Sequence, residues 1–401
     1  MNKKFIILAA MAAVFGMSFT ACSNDDEATG AGNGSVNLPT RVAFNAYLDG
    51  ATATRAYDAN VDDIKTDGMS VWAFDATTET AINNEGGTYF MGGYNAGLAH
   101  TWQSSFFKAE ADYFWPEYNL NFVALTPQTG GGIGAITCSQ AAATPGDPAV
   151  PSKPVMTVAV DVPLTTESEG VYGSDTQKDI MIASIENQGP LATGSASLTF
   201  KHALSQLVFK GGVDAQTTIH KAVVKSIKLV NVASDGTITY TAATDAFSVG
   251  SYGSSTKTYA ANIVNADVTA KIGKVNPEDD DAPNAISGQD NNTADRDYQM
   301  MILPQTSVEC VDAGITNNLS QLDVPETGTY LLVNADLYAN GDNVNKVISS
   351  ATNVYIPLAV TEWEPSTKYT YTLKFGDNLL HPITFTASID AWTDASKNVE
   401  F

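Results

Sequence analysis

Segment after segment of this 401-residue chain alternates apolar and polar side chains with a period of two, which constrains the fold more than any other feature. In one stretch the apolar positions are Val42, Phe44, Ala46 and Leu48, and in another Val354, Ile356, Leu358 and Val360. Tyr369, Tyr371, Leu373 and Phe375 alternate with Thr370, Thr372 and Lys374, and Ile383, Phe385, Ala387 and Ile389 with Thr384, Thr386, Ser388 and Asp390. Successive side chains of a strand point to opposite faces, so each segment lays one face on a core and the other in water. Further strands are predicted at 69–75, 120–125, 155–162, 197–210, 223–232, 237–241, 298–303 and 329–337, rich in residue types that suit a pleated surface. Helical evidence is thin: Lys201 to Phe209 reads equally as a short helical turn or as strand. Pro127 to Pro154, with GGGIG and TPGDPAVPSKP, and residues 276–297 read as loops outside the core. Many short strands between turn signals predict an all-β fold of antiparallel β-sandwiches. The length suits two domains. A linker-like run near residues 187–200 (ENQGPLATGSAS) puts the boundary between an N-terminal sandwich, 39–195, and a C-terminal sandwich, 196–401.

The first residues belong to targeting rather than to the fold. Lys3 and Lys4 precede an apolar run from Phe5 to Phe19 that is too short to span a bilayer. Residues 1–21 read as a signal peptide. Phe19-Thr20-Ala21-Cys22 resembles a bacterial lipobox, which predicts a lipid on Cys22 and an outer-membrane tether through acyl chains. Residues 22–38 then form a lipidated flexible linker rich in Gly, Asn and Ser. Its Ser23-Asn24-Asp25-Asp26-Glu27 start resembles the surface-export signal of Bacteroides-type lipoproteins, and reads equally as a solvated linker.

Composition removes several function classes. The formal charge is −23, and −25 once residues 1–21 leave with Lys3 and Lys4 and no acid. Such a chain is repelled by phosphate backbones, so no nucleic-acid partner is expected. Besides Cys22 only Cys138 and Cys310 remain, too few for a disulfide scaffold whether or not they pair. The four histidines, His100, His202, His220 and His381, show no metal-ligand spacing, and His202 lies in an apolar strand pattern as a core residue would. No nucleophile elbow, phosphate loop or dinucleotide fingerprint occurs, and GGGIG has no helix after it. The run Glu278-Asp279-Asp280-Asp281 lacks the calcium-loop pattern and reads as a solvated loop. No metal, cofactor or catalytic residue is predicted. Tyr113, Phe114, Trp115 and Tyr118, with Trp102 and Phe106 nearby, fit a buried strand end, the alternative being a sugar-stacking surface at Trp102 and Trp115.

Read in order, the chain holds Thr54-Arg55-Ala56 after the first strand, then Met69 to Phe74, Thr101-Trp102 and Tyr113-Phe114-Trp115-Pro116. There follow LNFVALTP at 120–127, Asp179-Ile180-Met181-Ile182-Ala183, LTFKHALSQLVF at 198–209, Ile302-Leu303-Pro304-Gln305, WEPSTKYTYTLKF at 363–375 and ITFTASIDAW at 383–392. This ordered set resembles the fimbrillin family of Bacteroides-type pili and its Mfa-like relatives. The resemblance implies two transthyretin-like sandwich domains, export as a lipoprotein to the cell surface, and a cut by an Arg-directed protease in the loop after the first strand. Here that cut falls between Arg55 and Ala56, because cutting at Arg41 would leave the strand attached. Loss of the strand opens a groove, which the C-terminal strand of another subunit fills; Ile383, Phe385, Ala387, Ile389, Val399 and Phe401 are its candidates. The partners implied are other pilus subunits in a homo- or heteropolymer, the outer membrane through the lipid, and a host glycan or protein. Stalk, tip and anchor roles stay open. The rivals are a surface glycan-binding lipoprotein using Trp102 or Trp115, and a two-carboxylate glycosidase.

Overall fold

The structure, a computed structural model, describes residues 40–48, 61–78, 80–142, 153–163, 167–168, 171–172, 177–191, 195–215, 219–253, 256–261, 263, 266–272, 283–287, 300–310, 325, 327–339, 347–358, 362–376, 384–391 and 396–399. In chain order the first elements are β1 (Phe44–Leu48), α1 (Val61–Asp67), β2 (Met69–Asp75), β3 (Leu98–Gln103), β4 (Phe106–Ala109), β5 (Leu120–Thr126), β6 (Ile133–Gln140) and β7 (Pro154–Asp161). Next come β8 (Glu167–Ser168), β9 (Val171–Tyr172), β10 (Met181–Gln188), β11 (Ala196–His202), β12 (Ser205–Asp214), β13 (Ile219–Ala233), β14 (Asp235–Thr241), β15 (Ala246–Gly250) and β16 (Thr256–Ala260). The rest are β17 (Asp267–Val268), β18 (Lys271–Ile272), β19 (Asn284–Ser287), β20 (Met300–Ile302), β21 (Gln305–Thr306), β22 (Tyr330–Ala339), β23 (Val347–Pro357), β24 (Glu362–Trp363), β25 (Thr367–Phe375), β26 (Thr384–Ala391) and β27 (Ser396–Val399).

The chain is all-β, as its alternation predicts, and its strands stack as two sandwiches. The first is built on β2 and β5, whose sequences MSVWAFD and LNFVALT are apolar at consecutive positions and buried on both faces. Met69, Val71, Ala73, Phe122 and Ala124 point into one core, and Trp72, Phe74, Val123 and Leu125 into another. Around the first core the order β1-β11-β10-β5-β2-β3-β4 closes on itself as a barrel. Its interior holds Val42, Phe44, Phe107, Trp115, Leu198 and Phe200, with Ile64 of α1. The other face is covered by the sheet β15-β14-β7-β6, through Cys138, Met156, Val158, Ile238 and Tyr240. The second sandwich packs the sheet β18-β12-β25-β26-β27 on β16-β13-β22-β23, joining Phe209, Tyr371 and Leu373 to Ile227, Leu229, Leu331 and Val333. These residues are continuous with the Trp72 face of the first sandwich, so one core runs through both.

Several sequence expectations need correction. Residues 127–154 are not all loop. Gly130, Gly131 and Gly132 take φ of 89°, 63° and 78°, and this glycine turn lets β6 pair with β7 and bury Cys138. A short strand, β19, also interrupts the polar run 276–297 and pairs with β12. Lys201 to Phe209 is strand, broken at Ala203-Leu204 where the chain passes from the barrel to the second sandwich. The hairpin β3–β4 and helix α1 fall where no element was expected. Sheet pairing also crosses the boundary at 196: β11 belongs to the barrel, and β14 pairs with β7 over seven residues. Cys138 and Cys310 are both free thiols, and burial pushes the Cys138 thiol upward in pKa and the Cys310 thiol to about 11.

Candidate assembly site

The segment TRVAFNAYL places apolar residues at every second position, and the structure seats that row in the barrel. β1 runs parallel to β11 over five residue pairs, from Phe44–Ala196 to Leu48–Phe200. On its other side it meets β4 at Phe44–Phe107. Just before β1, the Val42 N–H donates to Tyr113 O (2.8 Å), the Trp115 N–H to Thr40 O (2.9 Å) and the Ala196 N–H to Ala43 O (2.8 Å). Val42, Phe44 and Ala46 are buried, whereas Tyr47 is 50% exposed on the opposite face. The Phe44 ring stands edge-on to His100 (5.3 Å) and Phe122 (5.1 Å). β1 is therefore the strand that closes the ring. Without it β11 and β4 become edges, and unpaired edges template another strand.

His100 is the buried polar group beside this strand, and sequence reading gave it no role. Its signal was its place in Leu98-Ala99-His100-Thr101-Trp102, on the same face as two apolar residues. Its Nδ1–H donates to Leu98 O (2.9 Å), while Nε2 is buried without a hydrogen-bond partner among the described residues. Burial lowers its pKa from 6.5 to about 4. At the mouth of the strand Arg41 pairs with Asp112 (3.3 Å), and Lys108 reaches the same carboxylate (3.9 Å).

At the other end of the chain, β26 pairs antiparallel with β25 from Thr367–Ala391 to Lys374–Thr384, and β27 pairs with β26 over four residues. The donor candidates Phe385, Ala387 and Ile389 thus lie on β26 and Val399 on β27, in their own chain's sheet. Ile383, Phe401, Cys22, Arg55 and Ala56 lie outside the described residues, as do Glu278, Asp279, Asp280 and Asp281. Trp115 is 8% exposed and packs edge-on to Phe122, as a core aromatic does. Trp102 is half-buried against Phe107 (5.0 Å), with the Lys65 ammonium 4.9 Å above its ring. The exposed aromatics of this region are instead Phe114 and Tyr118. His202 is a core residue, as expected, and is hydrogen-bonded to the buried Asp179.

Residues 54–392 match the model of a family described as fimbrillin-like. The chain belongs to the fimbrillin-like family. Among solved structures it is similar to a fimbrial protein from Bacteroides vulgatus, with 17% identity and a TM-score of 0.53, over 88% of this chain and 99% of that one. A protein assigned to cell adhesion from Bacteroides uniformis gives 13% identity and a TM-score of 0.40 over 89% and 100%. The tip fimbrial protein Mfa3 from Porphyromonas gingivalis gives 8% and 0.32 over 88% and 99%. The first bears on the fold; the other two are too distant to do so. No curated protein matches. Family membership makes this fimbrillin-like chain a pilus-related surface protein.

Proposed function

We propose that the chain is a structural subunit of a surface pilus, assembled by protease-triggered strand exchange and serving adhesion. It is exported as an outer-membrane lipoprotein with its lipid on Cys22. A cut between Arg55 and Ala56 frees β1 from the chain that follows it, and the C-terminal strand of another subunit enters the vacated slot. The observation that carries this reading is the position of β1, which closes the barrel with buried Phe44 and Ala46 and is followed by the segment holding Arg55. An incoming strand restores the backbone bonds that β11 and β4 lose and fills the same side-chain sites. Such a contact joins two different surfaces of identical subunits, so it propagates as a filament rather than closing as a dimer. The barrel of β1, β11, β10, β5, β2, β3 and β4 then acts as the acceptor, and the C-terminal sandwich supplies the donor strand.

One observation favours a second reading, a tip or anchor subunit: β26 is paired along its length with its own β25. In that role the terminal strand stays at home. Digestion of the lipid-free protein with an Arg-specific protease separates the two. The pilus-subunit reading expects a new N-terminus at Ala56 and filaments or oligomer ladders by electron microscopy and gel, all lost in Arg55→Ala. A cut protein that stays monomeric for days supports the second reading and contradicts the first.

A further inference from the structure

The first strand of the chain and the segment that runs into β26 carry the same sequence of side-chain sizes. Val42-Ala43-Phe44-Asn45-Ala46-Tyr47-Leu48 sets an aliphatic residue, a phenylalanine, an alanine and an aliphatic residue at alternate positions. Ile383-Thr384-Phe385-Thr386-Ala387-Ser388-Ile389 does the same, in the same chain direction. We propose that the C-terminal strand of a second copy docks in the slot of β1 with the polarity of β1 and in one register: Ile383 at Val42, Phe385 at Phe44, Ala387 at Ala46, Ile389 at Leu48. This rests on the strand-exchange reading and adds the polarity and register that it leaves open.

The slot selects by size. Phe44 is wholly buried between His100 and Phe122, and Ala46 is 6% exposed two residues along. A slip of one residue would turn Thr384, Thr386 and Ser388 into the core. A slip of two puts Phe385 either on the alanine site or on the Val42 site, and in the second case Ala387 leaves the Phe44 site empty. Reversing the strand also exchanges the large and small positions. Each alternative overpacks one site or leaves a cavity, both of which destabilise. In the proposed register the donor runs parallel to β11, with Phe385 opposite Ala196 and Thr386 opposite Ser197, and antiparallel to β4. Thr386 and Ser388 replace half-buried Asn45 and exposed Tyr47 on the outer face. The one mismatch is Thr384, which falls on buried Ala43 just ahead of β1.

The donor is placed to move. At home β26 holds one long ladder with β25, and among the described residues its far side pairs with the four residues of β27. Residues 376–382 join β25 to the donor segment, and seven extended residues span at most about 25 Å.

Disulfide trapping tests the register. Ser197 faces solvent, so Ser197→Cys is combined in turn with Thr384→Cys, Thr386→Cys and Ser388→Cys in lipid-free protein. Each pair is cut with the Arg-specific protease and oxidised, with the chain lacking added cysteines as baseline. The expected result is an interchain ladder at least severalfold stronger for the Thr386 pair than for its two neighbours. A ladder that peaks at Thr384 or Ser388 overturns the register and leaves strand exchange standing. Oligomers without a ladder from any pair overturn the polarity and register together. No oligomers in any sample overturns the register and the reading beneath it. A size swap, Phe385→Ala with Ala387→Phe, keeps the composition of the strand and is expected to abolish assembly; undiminished assembly of that variant contradicts the proposal.

Discussion

The first strand and the C-terminal strands β26 and β27 lie in different kinds of sheet. β1 closes a ring, bonded on both sides, with its apolar row inside a filled barrel. β26 and β27 extend an open sheet outward from β25. Removing β1 breaks five pairs with β11 and one with β4 and empties a core, whereas removing β26 breaks eight pairs with β25 and four with β27. What holds the strand that leaves in exchange is therefore its buried side-chain row more than its ladders. On this account a peptide-bond cut alone does not release it quickly, and assembly is expected to be slow after cleavage.

The largest expected effect comes from emptying the barrel. Phe44→Ala removes a wholly buried aromatic and is expected to cost about 3–5 kcal/mol in urea unfolding. Tyr47→Ala, on the exposed face of the same strand, is expected to stay within about 0.5 kcal/mol. Equal costs at the two positions would show that β1 is not seated as described.

Acid is expected to act on the same end of the chain. Buried beside Phe44, His100 has a pKa of about 4, against 6.5 when free of the core. The seated state thus binds fewer protons than the opened one between those values. Stability at this site is full above about pH 6.5 and falls as pH drops toward 4, by about 1.4 kcal/mol per pH unit. The groups on neighbouring elements are engaged elsewhere: Lys65 lies on Trp102, Asp67 pairs with Lys178, and Lys108 with Asp112. Release of the cut N-terminal fragment should accelerate about tenfold per unit in this window, and His100→Leu should flatten the difference. Release rates that do not change between pH 7 and 5 would separate His100 from β1.

Truncation before Thr384 sharpens the comparison from the other side. The shortened chain is expected to fold, to lose less stability than Phe44→Ala loses, and to be cut at Arg55 without assembling. A truncated chain that unfolds would make β26 as integral as β1. The smallest effect is expected at the mouth of β1, where Arg41 and Asp112 are both substantially exposed; Arg41→Ala should cost no more than about 1 kcal/mol.

Much of this architecture was legible because period-two alternation is a local property. The segment 69–75 appears as a strand with those bounds, and 120–125 and 237–241 differ by one or two residues at an end. What was not legible depended on distant partners. Ile133 to Gln140 lies among glycines and prolines, and only its pairing with β7 makes it a core strand. The boundary at 196 follows a run of small residues, yet β11 closes the barrel with β1, some 150 residues earlier in the chain. At the candidate site, the apolar row of β1 could be read directly from the sequence. The burial of Trp115 was also legible, whereas the seat of His100 against Phe44 was not, since it depends on a contact across the barrel.

The central claim is that the slot of β1 empties and is refilled by a strand from another copy. Hydrogen exchange at the Ala196 amide reports on it directly, because that N–H donates to Ala43 O. The account predicts protection in the intact protein, loss of protection once the cut N-terminal fragment dissociates, and protection again in the assembled filament. Protection that persists unchanged after cleavage, with the fragment still bound and filaments nevertheless growing, would contradict it.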